Sequence, residues 1–211
     1  MSDGLPDEGV LFVISGPSGV GKSTLIKDTI AQVPGLSFSV SATTRQARPG
    51  EVEGVDYLFV PPEQFEAWVE AEAFLEHATV YDRSYGTLRE PTQRALASGR
   101  SLVLDIDVQG AAQVRRRWPG VVSVFVLPPS LVVLEQRLRG RDTDDEATVA
   151  RRMAQAAHQL YGAADYDYLL VNEEVDTSRA VLRGIVLAET HRRDRRRRAL
   201  SRVLSELAAG A

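Results

Sequence analysis

The stretch GPSGVGKS at residues 16–23 constrains the fold of this chain more than any other part of its sequence. It follows the apolar run VLFVIS (10–15), which is typical of a strand buried on both faces of a parallel sheet. Helical spacing begins at Lys22 and continues to about Gln32, just before a Pro-Gly pair that predicts the end of a helix. The sequence therefore predicts a buried strand, a glycine-rich turn and a helix at the start of the fold.

Strand-like and helix-like patterns then alternate along the chain. Such alternation favours a parallel sheet with helices on both faces, so we predict an α/β fold. The segment 42–88 interrupts the alternation with mixed patterns, and we interpret it as an insertion. Outside it, the predicted elements are strands at 36–40, 101–107, 121–127 and 166–172, helices at 89–98, 109–118, 130–140 and 148–162, and one long helix that closes the chain.

The spacing of residues 16–23 is that of a phosphate-binding loop (P-loop), and the predicted strand and helix are the context that this motif requires. Glycines let backbone N–H groups crowd around phosphate oxygens, and the helix N-terminus adds partial positive charge. We expect Lys22 to reach the β- and γ-phosphates and Ser23 to offer its hydroxyl to Mg²⁺. The predicted ATP-binding residues of the loop are Gly16, Pro17, Ser18, Gly19, Val20, Gly21, Lys22, Ser23 and Thr24.

The composition argues against several other kinds of site. Cysteine is absent, which removes disulfides and thiolate ligands, and His77, His158 and His191 do not have the spacing of a zinc site. No apolar run approaches the roughly 20 residues of a membrane span, so we predict a cytoplasmic protein with a flexible tail at 1–9. With a net charge of −4, we expect no nucleic-acid partner, and we interpret the arginines of 192–198 as a solvated helix face.

Two arginines lie three positions apart in the polar connection SATTRQARPGEVEGVDY (41–57). Arginine recognises phosphate through two parallel hydrogen bonds, so Arg45 and Arg48 are suited to grip a second phosphate group. Asp105 and Asp107 lie at the carboxyl end of a predicted strand, where open α/β sheets place their ligands. Capping of the following helix is the alternative role for these two carboxylates.

The motifs SATTRQARPGEVEGVDY, FLEH, SYGT and LDIDVQG, in this order after a P-loop, resemble those of guanylate kinases, which transfer the γ-phosphoryl group of ATP to GMP. The resemblance extends from about residue 10 to residue 190. It implies a P-loop NTPase fold, a three-layer α/β/α arrangement with a parallel central sheet, and dependence on Mg²⁺. The implied domain at 10–207 consists of a core (10–41 and 89–207), a GMP-binding insertion (42–88) and a lid at about 138–150.

The same resemblance implies a role for individual residues toward GMP. Glu76 would accept hydrogen bonds from N1–H and N2–H₂ of guanine, while Ser41 or Thr87 would donate to O6. The arginines and tyrosines would hold the monophosphate. The implied GMP-binding residues are Ser41, Arg45, Arg48, Tyr57, Glu76, Tyr85, Thr87 and Asp105.

For the ATP side, the resemblance implies a lid whose arginines close over the triphosphate and exclude water. Asn172 would either touch the adenine base or shape its loop. For Asp107 it is the position at the end of a predicted strand that suggests a role in ordering the hydration shell of Mg²⁺. The implied catalytic residues are Lys22, Arg45, Arg137, Arg141 and Arg152.

Departures from the family pattern occur at Asp142, where glycine is usual in the lid, and at Ser84, where an aromatic residue is common. Two alternatives to a guanylate kinase stay open: a nucleoside monophosphate kinase for another base, and a non-catalytic binding module of the same fold. The intact Lys22 and Ser23 argue against the module, in which the P-loop is typically degraded. The sequence leaves open the oligomeric state and whether dGMP is accepted.

Overall fold

The computed structural model describes residues 5–80, 82–140 and 145–209. The elements in chain order are β1 (Leu11–Ser15), α1 (Lys22–Gln32), β2 (Leu36–Phe38), β3 (Ser41–Thr43), β4 (Tyr57–Phe59), α2 (Pro62–Glu70), β5 (Phe74–Val80), β6 (Arg83–Leu88), α3 (Arg89–Ala97), β7 (Ser101–Asp105), α4 (Val108–Arg117), β8 (Val122–Leu127), α5 (Leu131–Arg139), α6 (Glu146–Tyr161), β9 (Tyr168–Val171), α7 (Val175–Thr190) and α8 (Arg197–Ala209). None of the described helices is long and apolar enough to cross a membrane.

The central sheet consists of five parallel strands in the order β2-β7-β1-β8-β9. Successive residues of β1 point to opposite faces of the sheet. On one face Phe12 and Ile14 pack with residues of α1 and α7, and on the other Leu11 and Val13 pack with residues of α3 and α4. The predicted parallel α/β architecture is confirmed, and helices on both sides explain why every residue of β1 is buried.

A second, mixed sheet has the strand order β4-β3-β6-β5 and lies within residues 41–88. Its own small core contains Ala42 of β3, Phe65 of α2 and Phe74 of β5. The sequence analysis assigns no strand at 83–88, where serine and glycine weaken the strand signal. Pairing with β3 on one side and β5 on the other makes β6 a central strand despite that composition.

The prediction of one long closing helix is wrong. Helix α7 ends at Thr190, a 3₁₀ turn occupies Arg193–Arg195, and α8 starts afresh after it. The N-terminal segment holds this break: the Asp7 N–H donates to Arg195 O (2.9 Å), and the Arg198 N–H donates to the Asp7 carboxylate (2.6 Å). Periodicity alone does not reveal these contacts, because their partners are at the two ends of the chain.

Candidate active site

The P-loop passes so close to neighbouring elements that two of its positions require glycine. A Cβ atom at Gly16 would lie 2.4 Å from Val126 O, and one at Gly21 would lie 2.6 Å from Asn172 Nδ2. Both residues also have positive φ angles, 148° and 96°. Because Gly21 is the N-cap of α1, no capping side chain competes with an anion for the first N–H groups of the helix.

Lys22 and Ser23 of the loop lie beside Asp105 at the carboxyl end of β7. Lys22 Nζ donates to Gly16 O (2.7 Å) and lies 3.9 Å from Asp105 Oδ1, and Ser23 Oγ lies 3.4 Å from Asp105 Oδ2. Burial raises the pKa of Asp105, and the Lys22 charge partly opposes this rise. The neighbouring parallel strands β1 and β7 therefore bring together three residues that the sequence analysis selected separately.

Asp105 also forms part of the wall of a cavity of about 330 Å³. Ser41 of β3 and Tyr57 of β4 also line it, and these two residues are paired in the second sheet. Asp105 is thus a shared wall between the P-loop and a cavity lined by predicted GMP-binding residues.

Arg45, predicted to bind phosphate, forms a two-pronged salt bridge with Glu51, at 2.9 Å from Nη1 to Oε2 and 2.8 Å from Nη2 to Oε1. The same carboxylate accepts from the Arg48 N–H (2.7 Å), so it organises both arginines of the connection. The Arg45 guanidinium lies 5.2 Å from the centre of the Tyr57 ring, which in turn lies 6.2 Å from that of Tyr85. The side chains of Arg45, Tyr57 and Tyr85 therefore form one cluster, to which the Arg48 backbone is joined through Glu51.

The sequence analysis gave no role to Glu51. The available signal was an acid three residues after Arg48 and six residues after Arg45, within hydrogen-bonding reach of both in one short connection. The hydrogen bonds from Arg45 and from the Arg48 backbone lower the pKa of Glu51 to about 2, so the carboxylate stays ionised throughout the neutral range.

For Glu51→Gln we expect the KM for GMP, the acceptor that the sequence resemblance implies, to rise about tenfold, because charge-assisted hydrogen bonds that orient the Arg45 fork are lost. The KM for ATP should change little. Steady-state kinetics with each substrate varied in turn measures both, and Glu53→Gln in the same connection is the matched control. An unchanged KM for GMP would show that Arg45 orients itself without this carboxylate.

The buried pair Glu76 and Thr87 lies in the second sheet, where the two residues are directly paired across β5 and β6. Glu76 is only 6% exposed, and Thr87 Oγ1 donates to its Oε1 at 2.7 Å. Burial raises the pKa of Glu76 although the Thr87 hydrogen bond opposes the rise, and the charge of Asp107 raises it further. Thr87 uses its hydroxyl proton on Glu76, which leaves Ser41 as the better placed of the two predicted donors to guanine O6.

Asn172 and Arg137, for which the resemblance implies a role toward ATP, hold the P-loop in this structure. Asn172 Nδ2 donates to Val20 O (2.7 Å), and Arg137 of α5 donates to Asn172 O (3.0 Å) and Val20 O (3.5 Å). Asn172 therefore shapes the loop, which was one of the two roles considered for it. Arg152 lies half-buried on α6, whereas Arg141, like Asp142, lies outside the described residues.

Asp107 is the N-cap of α4. Its Oδ1 accepts from the N–H groups of Gln109 (3.0 Å) and Gly110 (2.9 Å), which satisfies two donors in the first turn of the helix. This is the capping role that the sequence analysis gave as the alternative, and a place in the hydration shell of Mg²⁺ stays a prediction.

Comparison with known proteins yields consistent matches. The sequence model of the family described as guanylate kinase matches residues 8–189. The guanylate kinase of Methylococcus capsulatus is 48% identical over 200 residues, which cover 95% of this chain and 98% of the relative, and that of Escherichia coli O157:H7 is 46% identical, covering 96% and 99%. The crystal structure of guanylate kinase from Anaplasma phagocytophilum is 33% identical, with a TM-score of 0.67, and the match covers 90% of this chain and 91% of that one.

Proposed function

Because the chain belongs to the guanylate kinase family, we propose that it transfers the γ-phosphoryl group of ATP to GMP, giving ADP and GDP. The observation that carries the proposal is the position of Asp105 between two sites. It lies 3.9 Å from Lys22 of the P-loop and also lines the cavity that contains Ser41 and Tyr57. A donor phosphate on the loop and an acceptor phosphate in the cavity would therefore both lie next to Asp105.

On the donor side, backbone N–H groups of the loop and Lys22 bind the phosphates of ATP. Mg²⁺ accompanies ATP, and the Ser23 hydroxyl and the nearby Asp105 carboxylate are the hard oxygen donors that this ion prefers. When bound, the ion neutralises charge on the transferred group. The acceptor oxygen belongs to an ionised phosphate, so no general base is required.

On the acceptor side, the cluster of Arg45, Arg48, Tyr57 and Tyr85 binds the GMP monophosphate and aligns it with the donor. Glu76, oriented by Thr87, accepts from the N1–H and N2–H₂ groups of guanine, and Ser41 donates to O6. Adenine would place its unprotonated N1 against the carboxylate, which disfavours AMP.

The lid arginines Arg137, Arg141 and Arg152 complete the site when ATP is bound, by adding positive charge and excluding water. Arg137 lies at the P-loop already, through its hydrogen bonds to Val20 O and Asn172 O. The buried Asn172 Oδ1, which accepts no hydrogen bond from the described residues, is an acceptor suited to the adenine amino group.

The raised pKa of Glu76 predicts that GMP use declines in mild acid. As the pH falls through that raised pKa, the carboxyl gains a proton and no longer accepts from N1–H, so kcat/KM for GMP falls while the KM for ATP stays level. The GMP phosphate itself titrates near pH 6. A Glu76→Gln variant retains the titrations of the GMP phosphate and of Asp105, so the difference between the two pH profiles isolates Glu76. Identical profiles would contradict the prediction.

The deciding experiment measures ADP formation from Mg-ATP with GMP, dGMP, AMP, CMP, UMP and dTMP offered separately, with a control that lacks an acceptor. We expect turnover with GMP, and dGMP is included because the sequence leaves its acceptance open. Turnover only with another base would identify a kinase of different specificity. Absence of transfer with every acceptor would instead favour a binding module.

A further inference from the structure

Strand β5, which carries Glu76, contains an irregularity directly before that residue. Phe74 pairs with Leu88 and Glu76 pairs with Thr87, so Leu75 is an extra residue, a β-bulge. The bulge separates two cores. Phe74 packs inside the second sheet's own core, whereas the fully buried Leu75 packs with β1 of the central sheet.

Helix α4 supplies the polar groups that stabilise this bulge. Arg117 Nη1 donates to Phe74 O and to Leu75 O, both at 3.2 Å. A bulge disrupts the ladder and leaves backbone groups without a strand partner, so one guanidinium nitrogen replaces the missing donors.

The same helix also supplies hydrogen-bond partners to the outer edge of β5 at His77, the residue that follows Glu76. Strand β5 is an edge strand. The Gln113 side-chain amide accepts from the His77 N–H (3.3 Å) and donates to His77 O (3.0 Å), as the peptide group of a further strand would. Arg117 Nη1 also lies 3.4 Å from Gln113 Oε1, which links the two side chains.

Three positions on one face of α4 therefore contact β5 around Glu76. Gly110, Gln113 and Arg117 follow a helical spacing of three and four residues. At Gly110 a Cβ atom would lie 3.2 Å from Glu76 Oε2, so the missing side chain leaves room for the carboxylate. Glu76 is held by Thr87 from within the sheet, while its two neighbours in β5 are held from outside by α4.

We propose that Gln113 and Arg117 are positioning residues that fix β5 on both sides of Glu76 and thereby determine how well the carboxylate selects guanine. This inference rests on the proposed function. Neither side chain is required to touch GMP. They act through the backbone of β5, and their loss should affect recognition of the base rather than transfer of the phosphoryl group.

The test compares wild type with Gln113→Ala, Arg117→Ala and the double variant, using GMP and IMP as acceptors. IMP lacks the N2 amino group. The ratio of kcat/KM for GMP to that for IMP therefore measures how much the hydrogen bond from N2–H₂ to Glu76 contributes to recognition of the base. For the double variant we expect the KM for GMP to rise about tenfold and that ratio to fall about tenfold, which corresponds to about 1.4 kcal/mol. The KM for ATP should stay within about twofold.

Two further variants separate positioning from general loss of structure. Arg117→Lys keeps a charged N–H donor and should recover most of the loss. Arg116→Ala removes an exposed arginine on the same helix that contacts neither carbonyl of the bulge, and it should behave as wild type. Gly110→Ala moves the Glu76 carboxylate directly and should reproduce the fall in the ratio of GMP to IMP.

The wild-type enzyme could phosphorylate GMP while the variants keep its KM for GMP and its ratio of kcat/KM for GMP to that for IMP. That result would overturn the positioning role but leave the proposed function standing. Equal losses for GMP, IMP and ATP would overturn it too, since they would indicate damage to the whole fold. A wild-type enzyme without GMP turnover would instead overturn the proposed function.

Discussion

For Lys22→Ala we expect the rate of phosphoryl transfer to GMP to fall about a thousandfold. Lys22 Nζ is held at 2.7 Å from Gly16 O, inside the loop and next to Asp105, so its charge is positioned before ATP binds. A preorganised charge of this kind stabilises the transition state without a cost of reorganisation at the moment of reaction. Removing it also deprives Asp105 of the charge that favours its ionised form.

Single-turnover kinetics with Mg-ATP and saturating GMP measures this step without product release. The matched control is Lys27→Ala, an exposed lysine on the same helix α1, which should leave the rate unchanged. The KM for ATP should change much less than the rate, because the backbone N–H groups of the loop remain. A Lys22→Ala enzyme with the wild-type single-turnover rate would contradict the assignment of the P-loop lysine.

The second large effect concerns selection of the base. For Glu76→Gln we expect kcat/KM for GMP to fall about a hundredfold, while activity with AMP changes little, so the preference for guanine decreases by a similar factor. The substitution keeps the shape of the side chain and an oxygen for the Thr87 hydroxyl. It replaces an acceptor on the guanine edge by an NH₂ group that faces the N1–H and N2–H₂ donors.

Measurement of kcat/KM for GMP and AMP tests this prediction, with Glu66→Gln on the exposed face of α2 as the matched control. We expect Glu76→Gln not to lower the free energy of unfolding. Because burial raises the pKa of Glu76, its ionised form costs stability at neutral pH, and a neutral glutamine removes that cost. We therefore expect Tm to stay level or rise, and an unchanged ratio of GMP to AMP in this folded variant would contradict the role of Glu76.

The bounds of the first helix were predictable from the sequence. Helix α1 begins at Lys22 and ends at Gln32 as its spacing indicates, because a glycine-rich turn before it and a Pro-Gly pair after it act locally. The closing helix was predicted wrongly for the opposite reason. Its periodicity continues through the arginine-rich run, and the break is stabilised by Asp7, almost two hundred residues earlier in the chain.

The candidate site also combines features that depend on local sequence with features that depend on contacts between distant residues. The P-loop, the parallel α/β core and the family could be predicted from the sequence, because each depends on residue types at short, regular spacing. The contacts between distant residues required the folded chain: Ser23 with Asp105, 82 positions apart, and Gln113 with His77, 36 positions apart. Such pairs depend on which strand edges and helix faces adjoin, and the packing of the whole chain determines that arrangement. The support of β5 by α4 could therefore be recognised only in the folded protein.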